Sequence, residues 1–68
     1  MKQEIVVNGE PMALEQATLA ELVEQRASAA RRGIAVALND AVVPRRAWPA
    51  IRLKPGDRVE IVKIMVGG

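Results

Sequence analysis

Runs rich in β-prone apolar residues lie at both ends of this chain, and this pattern predicts strands there. Residues 3–7 and 10–14 are β-prone, and Asn8-Gly9 lies between them. Asn-Gly favours a type I′ hairpin because both central positions of that turn need positive φ. Pro11 has no backbone N–H to donate, so the second strand is expected at an edge of the sheet.

A helix is predicted to begin at Thr18. In the capping box Thr18-Leu19-Ala20-Glu21, Thr18 bonds the backbone N–H of Glu21, and Glu21 reaches back to the N–H of Thr18. Arg31-Arg32 favour the negative end of a helix, and Gly33 suits a left-handed cap. Apolar residues recur at helical spacing and give one stripe, formed by Leu19, Leu22, Val23, Ala27 and Ala30.

The second half of the chain predicts further strands. Residues 34–38 form a short apolar run, which indicates an interior strand, and Asn39-Asp40 turns the chain into a brief strand at 41–43. Residues 45–53 are predicted to be irregular. Residues 54–57, Lys-Pro-Gly-Asp, match a type II turn, in which Pro fixes φ and Gly supplies positive φ.

The last predicted strand covers residues 58–66. Val59 and Ile61 are expected on one face, and Arg58 and Glu60 on the other. The order of elements is then β-β-α-β-(β)-β. This order predicts a small α+β domain with one sheet and a helix on one of its faces.

The side-chain inventory argues against a self-contained enzyme. The chain has 68 residues without His, Cys or Tyr, and its hydroxyls are those of Thr18 and Ser28. A hydroxyl nucleophile needs a positioned base, and metal sites usually need His, Cys or converging carboxylates. We therefore expect no catalytic residue, no metal and no cofactor of its own. A net charge of +2 is too small to indicate a nucleic-acid partner.

No apolar run approaches the roughly 20 residues of a membrane span, and residues 1–4 lack the apolar segment of a signal peptide. A cytoplasmic protein without membrane contact is the expectation.

Gly67-Gly68 follows directly on the last predicted strand. Glycine lacks Cβ, so such a tail can enter a narrow channel and take up backbone angles closed to other residues. By composition, a terminal pair of glycines should occur in roughly 0.5% of chains. The pair therefore becomes informative when the rest of the chain forms a fold that presents a tail.

Over its whole length the sequence resembles the sulfur carrier proteins of thiamin biosynthesis, a ubiquitin-like family with the β-grasp fold. The block from Gly33 to Trp48 is the most specific part of the match. Small departures occur at Arg46-Ala47 and Met65-Val66. The matching segments are 7–9, 18–22, 33–39, 42–45 with Trp48, 56–62 and 67–68.

The resemblance implies a β-grasp domain over residues 1–68, with a mixed sheet of four to five strands, one main helix and a flexible tail at about 65–68. It implies that an adenylating partner enzyme uses ATP and Mg²⁺ to activate the carboxylate of Gly68. A persulfide on a cysteine desulfurase or other sulfurtransferase then converts this group to a thiocarboxylate. Thiazole synthase is the implied acceptor of the sulfur, with Gly67 and Gly68 entering the active sites of both partners.

Partner contacts are expected near the tail. Ile64, Met65 and Val66 place apolar bulk there, and the solvent-facing residues of the last strand are further candidates. Arg45 and Arg46 are interpreted first as a solvated surface, with contact to an acidic partner as the alternative. Trp48 is interpreted as a packing residue, with partner binding as the alternative.

Three alternatives use the same fold. The small subunit of molybdopterin synthase shares the Gly-Gly end, but that family tends to be longer and to carry aromatic or proline residues before the tail. A ubiquitin-like protein modifier would join the same activated tail to lysines. A β-grasp module that docks RNA or a host enzyme would have no need of a free Gly-Gly terminus.

Overall fold

The structure is a computed structural model, and it describes residues 3–27 and 33–63. These residues contain one sheet with the strand order β2-β1-β5-β3-β4. β1 and β5 run parallel, and the other neighbouring pairs run antiparallel, so the sheet is mixed. In chain order the elements are β1 (Glu4–Val7), β2 (Glu10–Ala13), α1 (Leu19–Ala27), β3 (Ile34–Leu38), β4 (Ala41–Val43), a 3₁₀ helix (Arg45–Ala50) and β5 (Arg58–Lys63).

Two tight turns have the backbone that their Asn residues predict. Asn8 and Gly9 have φ values of 51° and 83°, and the β1–β2 hairpin follows from them. The turn between β3 and β4 repeats this geometry, with φ values of 51° at Asn39 and 73° at Asp40. Pro11 lies on β2 at one edge of the sheet, as its missing N–H requires.

The start of α1 confirms half of the predicted capping box. The N–H of Glu21 donates to Oγ1 of Thr18 at 3.2 Å. The reciprocal bond was placed wrongly: Oε1 of Glu21 accepts from the N–H of Ala17 at 3.0 Å, not from that of Thr18. The backbone here is already fixed by pairing with a distant segment, since Leu19 donates to the carbonyl of Ile51 at 2.9 Å. The carboxylate therefore bonds one residue further upstream.

The predicted end of this helix, with Ser28, Ala30 and Arg31-Arg32, lies outside the described residues. Gly33, the first described residue after this gap, has a φ of 73°, the left-handed conformation predicted for it.

The core lies between α1 and one face of the sheet. Each fully buried aliphatic side chain stabilises the fold by about 1.5–3 kcal/mol. Leu19, Leu22 and Val23 come from the helix. The other buried hydrophobic residues are Ile5, Val7, Val36, Val43, Trp48, Leu53 and Val59.

The prediction of irregular chain over residues 45–53 was wrong for its first six residues, because Arg45–Ala50 forms a 3₁₀ helix. Its backbone bonds run from Ala47 to the carbonyl of Pro44 at 2.9 Å and from Ile51 to that of Trp48 at 3.2 Å. Trp48 is only 6% exposed, and its Nε1–H donates to the carbonyl of Val43 at 3.0 Å. Burial of this ring explains the local structure and confirms Trp48 as a packing residue.

β5 begins after the predicted Pro-Gly turn. Gly56 has a φ of 87°, and the N–H of Asp57 donates to the carbonyl of Lys54 at 3.1 Å. Val59 is buried and Ile61 half-buried, whereas Arg58 and Glu60 are exposed, so the expected alternation is confirmed. The part of this strand predicted at residues 64–66 lies outside the described residues.

Candidate functional site

The predicted tail lies beyond the part of the chain that the structure describes. Gly67 and Gly68, predicted to carry the chemistry, are outside it, and so are the predicted contact residues Ile64, Met65 and Val66. The described chain stops at Lys63, the exposed last residue of β5. The hydrogen bonds that hold β5 in the sheet are therefore the described contacts nearest to this site.

β5 is bonded to a strand on each side. It pairs with β3 over five residues, from Val59 opposite Leu38 to Lys63 opposite Ile34. Its parallel pairing with β1 is shorter and comprises Arg58 opposite Val6 and Val59 opposite Val7. The two sides of the strand thus differ: β3 accompanies it to its described end, while β1 turns away earlier.

The side chain of Asn8 continues the hydrogen bonding where β1 turns away. Its Oδ1 accepts from the N–H of Ile61 at 2.8 Å, and its Nδ2 donates to the carbonyl of the same residue at 3.3 Å. Sequence reasoning assigned Asn8 to the hairpin turn and gave it no other role. The available signal was that Asn, unlike Gly, brings an amide to a position of positive φ.

The side chain of Asn39 also bonds the backbone of β5, at Arg58, the first residue of the strand. Its Oδ1 accepts from the N–H of Arg58 at 2.9 Å, and its own N–H donates to the carbonyl of Arg58 at 2.7 Å. Its Nδ2 donates to the carboxylate of Asp57 at 3.1 Å. The two asparagines therefore bond β5 from opposite sides, Asn39 at its first residue and Asn8 in its second half.

Asp57 is a buried acidic residue, with 5% of its surface exposed. Besides the bond from Asn39, its carboxylate accepts from the N–H of Lys54 at 2.8 Å. These bonds replace water around the charge and fix the turn that leads into β5. We interpret Asp57 as a structural residue.

The face of the sheet opposite α1 carries an exposed apolar surface. Val62 of β5 is 55% exposed and Val42 of β4 is 78% exposed. Ala35 and Ala37 lie between them on β3, since Ala35 pairs with Val62 and Ala37 with Val42. We call these four residues the open-face patch. Only Val62 lies on the strand that leads toward the tail, and only Val62 falls under the expectation for the solvent-facing residues of that strand. The other three residues were not predicted as a surface.

Arg45 and Arg46 are exposed on the 3₁₀ helix that follows β4. β3 separates β4 from β5 in the sheet, so the structure does not place this pair beside β5. Their contact with an acidic partner stays a prediction.

Within residues 3–27 and 33–63, no three acidic side chains come together in a way that could hold a metal ion. No helix in this part of the chain is long and apolar enough to cross a membrane.

Comparison with known proteins identifies the family. The ThiS family profile matches residues 5–68, nearly the whole chain. The chain belongs to the ThiS family. It is 40% identical over 62 residues to the sulfur carrier protein ThiS of Thermus thermophilus, and the match covers 91% of this chain and 95% of that protein.

Solved structures agree with the ThiS assignment. The crystal structure of the thiamine biosynthesis protein ThiS from Geobacter metallireducens superposes with a TM-score of 0.80 at 34% identity, covering 96% of this chain and 99% of that one. An NMR structure of a thiamine biosynthesis protein from the same organism gives a TM-score of 0.74 at 34% identity, covering 96% and 87% of the two chains. The mixed sheet with one main helix is thus the ubiquitin-like β-grasp fold, as the resemblance implied.

Proposed function

We propose that this chain carries sulfur as a thiocarboxylate on Gly68 and delivers it for the thiazole of thiamin. The observation that supports this most directly is Gly67-Gly68 in a ThiS-family chain, four residues after Lys63, the last described residue of a strand that is paired on both sides. The curated relative from Thermus thermophilus is itself named a sulfur carrier protein.

The chemistry begins with activation of the Gly68 carboxylate. A free α-carboxyl group is ionised at neutral pH and is a poor electrophile. On a partner adenylating enzyme, a carboxylate oxygen attacks the α-phosphorus of ATP, with Mg²⁺ bound, and pyrophosphate leaves. The resulting acyl-adenylate has AMP as a good leaving group.

Sulfur transfer follows at the acyl carbon. The terminal sulfur of a persulfide on a desulfurase or sulfurtransferase attacks this carbon, and AMP leaves. A thiol then cleaves the S–S bond and is itself oxidised to a disulfide, which leaves a thiocarboxylate on Gly68. Thiazole synthase is the proposed acceptor of this sulfur.

The composition of the chain supports a carrier role. It has no cysteine or histidine, so it offers no side-chain thiol to hold sulfur and no imidazole to act as a base. In this proposal the partners supply the catalytic groups, and the carrier supplies a terminus and a surface that they recognise.

We place partner contact on residues near the tail. Ile64, Met65 and Val66 are proposed contacts from the sequence, and the open-face patch adds exposed apolar surface on β5, β3 and β4. Arg45 and Arg46 are proposed as a more distant, electrostatic contact that mainly affects the association rate.

The deciding experiment is the intact mass of the protein after incubation with ATP, Mg²⁺, the host's adenylating enzyme and a persulfide donor. The expected result is a gain equal to one oxygen replaced by sulfur, localised to Gly68 and absent without ATP. No gain, with an adenylating enzyme shown to be active on another carrier, would contradict the proposal. A covalent adduct to lysines would indicate a protein modifier, and delivery to a molybdopterin synthase large subunit would indicate that pathway.

A further inference from the structure

We propose that Asn8 is a positioning residue of the carrier: its side chain fixes the β5 backbone at Ile61 and thereby sets the path along which the chain continues to Gly68. This inference rests on the proposed function, because the tail must reach a partner's active site for the position of β5 to matter.

The hydrogen bonds show that the Asn8 side chain replaces a rung of the sheet. β1 bonds β5 at every second residue, from the N–H of Val6 to the carbonyl of Asp57 at 2.9 Å and from the N–H of Asn8 to that of Val59 at 2.8 Å. The next residue of β5 facing β1 is Ile61. Asn8 has already turned into the hairpin, with a φ of 51°, and its side-chain amide bonds both backbone groups of Ile61.

The turn alone does not require this side chain. Type I′ turns also accept Gly at this position. Asn adds a side-chain amide, and this amide forms hydrogen bonds with the backbone of Ile61 rather than within the turn. Asn8 and Ile61 are 53 residues apart in sequence, so the contact links the first hairpin to the strand before the tail.

On the side of β5 that faces β1, the backbone pairing stops before Ile61. The β1–β5 register ends at Val59. Val62 is half exposed and packs little against the core. Loss of the Asn8 bonds should therefore loosen the β1 side of β5 at Ile61, while the pairing with β3 and the buried part of the domain stay intact.

Asn39 provides a matched control. It has the same φ of 51° and likewise bonds the β5 backbone through its side chain. Its bonds lie at Arg58, the opposite end of the strand from Gly68. Asn39→Gly should therefore reduce stability without changing how the tail is presented.

The experiment compares Asn8→Gly, Asn8→Asp and Asn39→Gly by urea unfolding, amide hydrogen exchange and the steady-state kinetics of sulfur loading by the adenylating enzyme. Asn8→Gly should speed exchange of the Ile61 amide and lower kcat/KM for loading about tenfold, the effect of losing one to two hydrogen bonds. Asn8→Asp keeps an acceptor for the Ile61 N–H and should recover part of this loss. Asn39→Gly should unfold at lower urea yet load like the wild type.

Two results would overturn the positioning role. One is wild-type loading by Asn8→Gly. The other is a loss of loading that follows unfolding stability equally in Asn8→Gly and Asn39→Gly. If the wild type itself is not loaded, the proposed function fails and the positioning role with it, while the exchange rate of Ile61 still reports whether the Asn8 bonds exist in solution.

Discussion

The side-chain amide of Asn39 donates to the buried carboxylate of Asp57 at 3.1 Å, and this bond joins the β3–β4 turn to the turn that precedes β5. Asp57 also accepts from the N–H of Lys54 at 2.8 Å, and Asn39 accepts from that of Arg58 at 2.9 Å. The start of the strand that leads to the tail is thus fixed by a small polar network.

Replacement of Asp57 by Ala should lower the free energy of unfolding by about 1–3 kcal/mol, because it leaves the N–H of Lys54 and the amide of Asn39 without their acceptor. Urea unfolding followed by circular dichroism measures this. Asp40→Asn is the control, since Asn tolerates the φ of 73° there and the lost ion pair with Arg58 is solvent-exposed. That variant should stay within about 0.5 kcal/mol of the wild type. Equal effects of the two variants would contradict the network.

Trp48→Ala should destabilise the domain by about 3–5 kcal/mol, since it removes the largest buried side chain of a thin aliphatic core. Trp48→Phe keeps most of the ring but leaves the carbonyl of Val43 without its donor, so it should cost less, about 1–3 kcal/mol. Thermal unfolding by circular dichroism ranks the three proteins. A stable Trp48→Ala variant that loses only partner binding would instead make this tryptophan a contact residue.

Local rules predicted the parts of this fold that depend on backbone conformation. Asn8-Gly9 and Gly56 have the positive φ values that their turn types need, and Pro11 lies at a sheet edge. Thr18 caps α1 because its hydroxyl competes well for a free N–H. In each case one residue type restricts the chain to a single local choice.

The features that sequence reasoning missed depend on distant partners. The 3₁₀ helix around Trp48 has no periodic pattern, and it forms because the indole ring is buried against the end of the core. The role of the Asn8 side chain could not be predicted without knowing where Ile61 lies, and that position depends on the parallel pairing of β1 with β5. Among the predicted contact residues, Arg45 and Arg46 lie exposed on this 3₁₀ helix, and their contact with a partner stays a prediction.

Val62→Glu should weaken docking of the adenylating enzyme, seen as a rise of about tenfold in KM for the carrier, because docking would desolvate the new charge. Its stability should change little, since Val62 is 55% exposed. Val42→Glu is the matched control on the same face, at the edge strand, and a smaller rise in KM is expected. Unchanged KM for Val62→Glu would remove the open-face patch from the docking surface.

Charge reversal at Arg45 and Arg46, each to Glu, should slow association with the adenylating enzyme at low salt and have little effect at high salt, where exposed charges are screened. Stopped-flow association at several ionic strengths measures this. Arg52→Glu changes an exposed arginine outside the 3₁₀ helix and serves as the control. If all three variants behave like the wild type at low salt, the basic pair is a solvated surface only.

Removal of Gly68 should abolish sulfur loading and leave the free energy of unfolding nearly unchanged, because glycine has no side chain to contribute to a core. Gly67→Val should also block loading, since a β-branched side chain adds bulk and restricts φ where a narrow channel must be entered. Gly67→Ala adds a single methyl group and should load at an intermediate rate. Intact mass after incubation with the adenylating enzyme, ATP, Mg²⁺ and persulfide donor measures all three, with urea unfolding as the control for folding. Loading of the protein without Gly68 would show that sulfur is carried elsewhere, and full turnover of Gly67→Val would show that the partner's channel is wide.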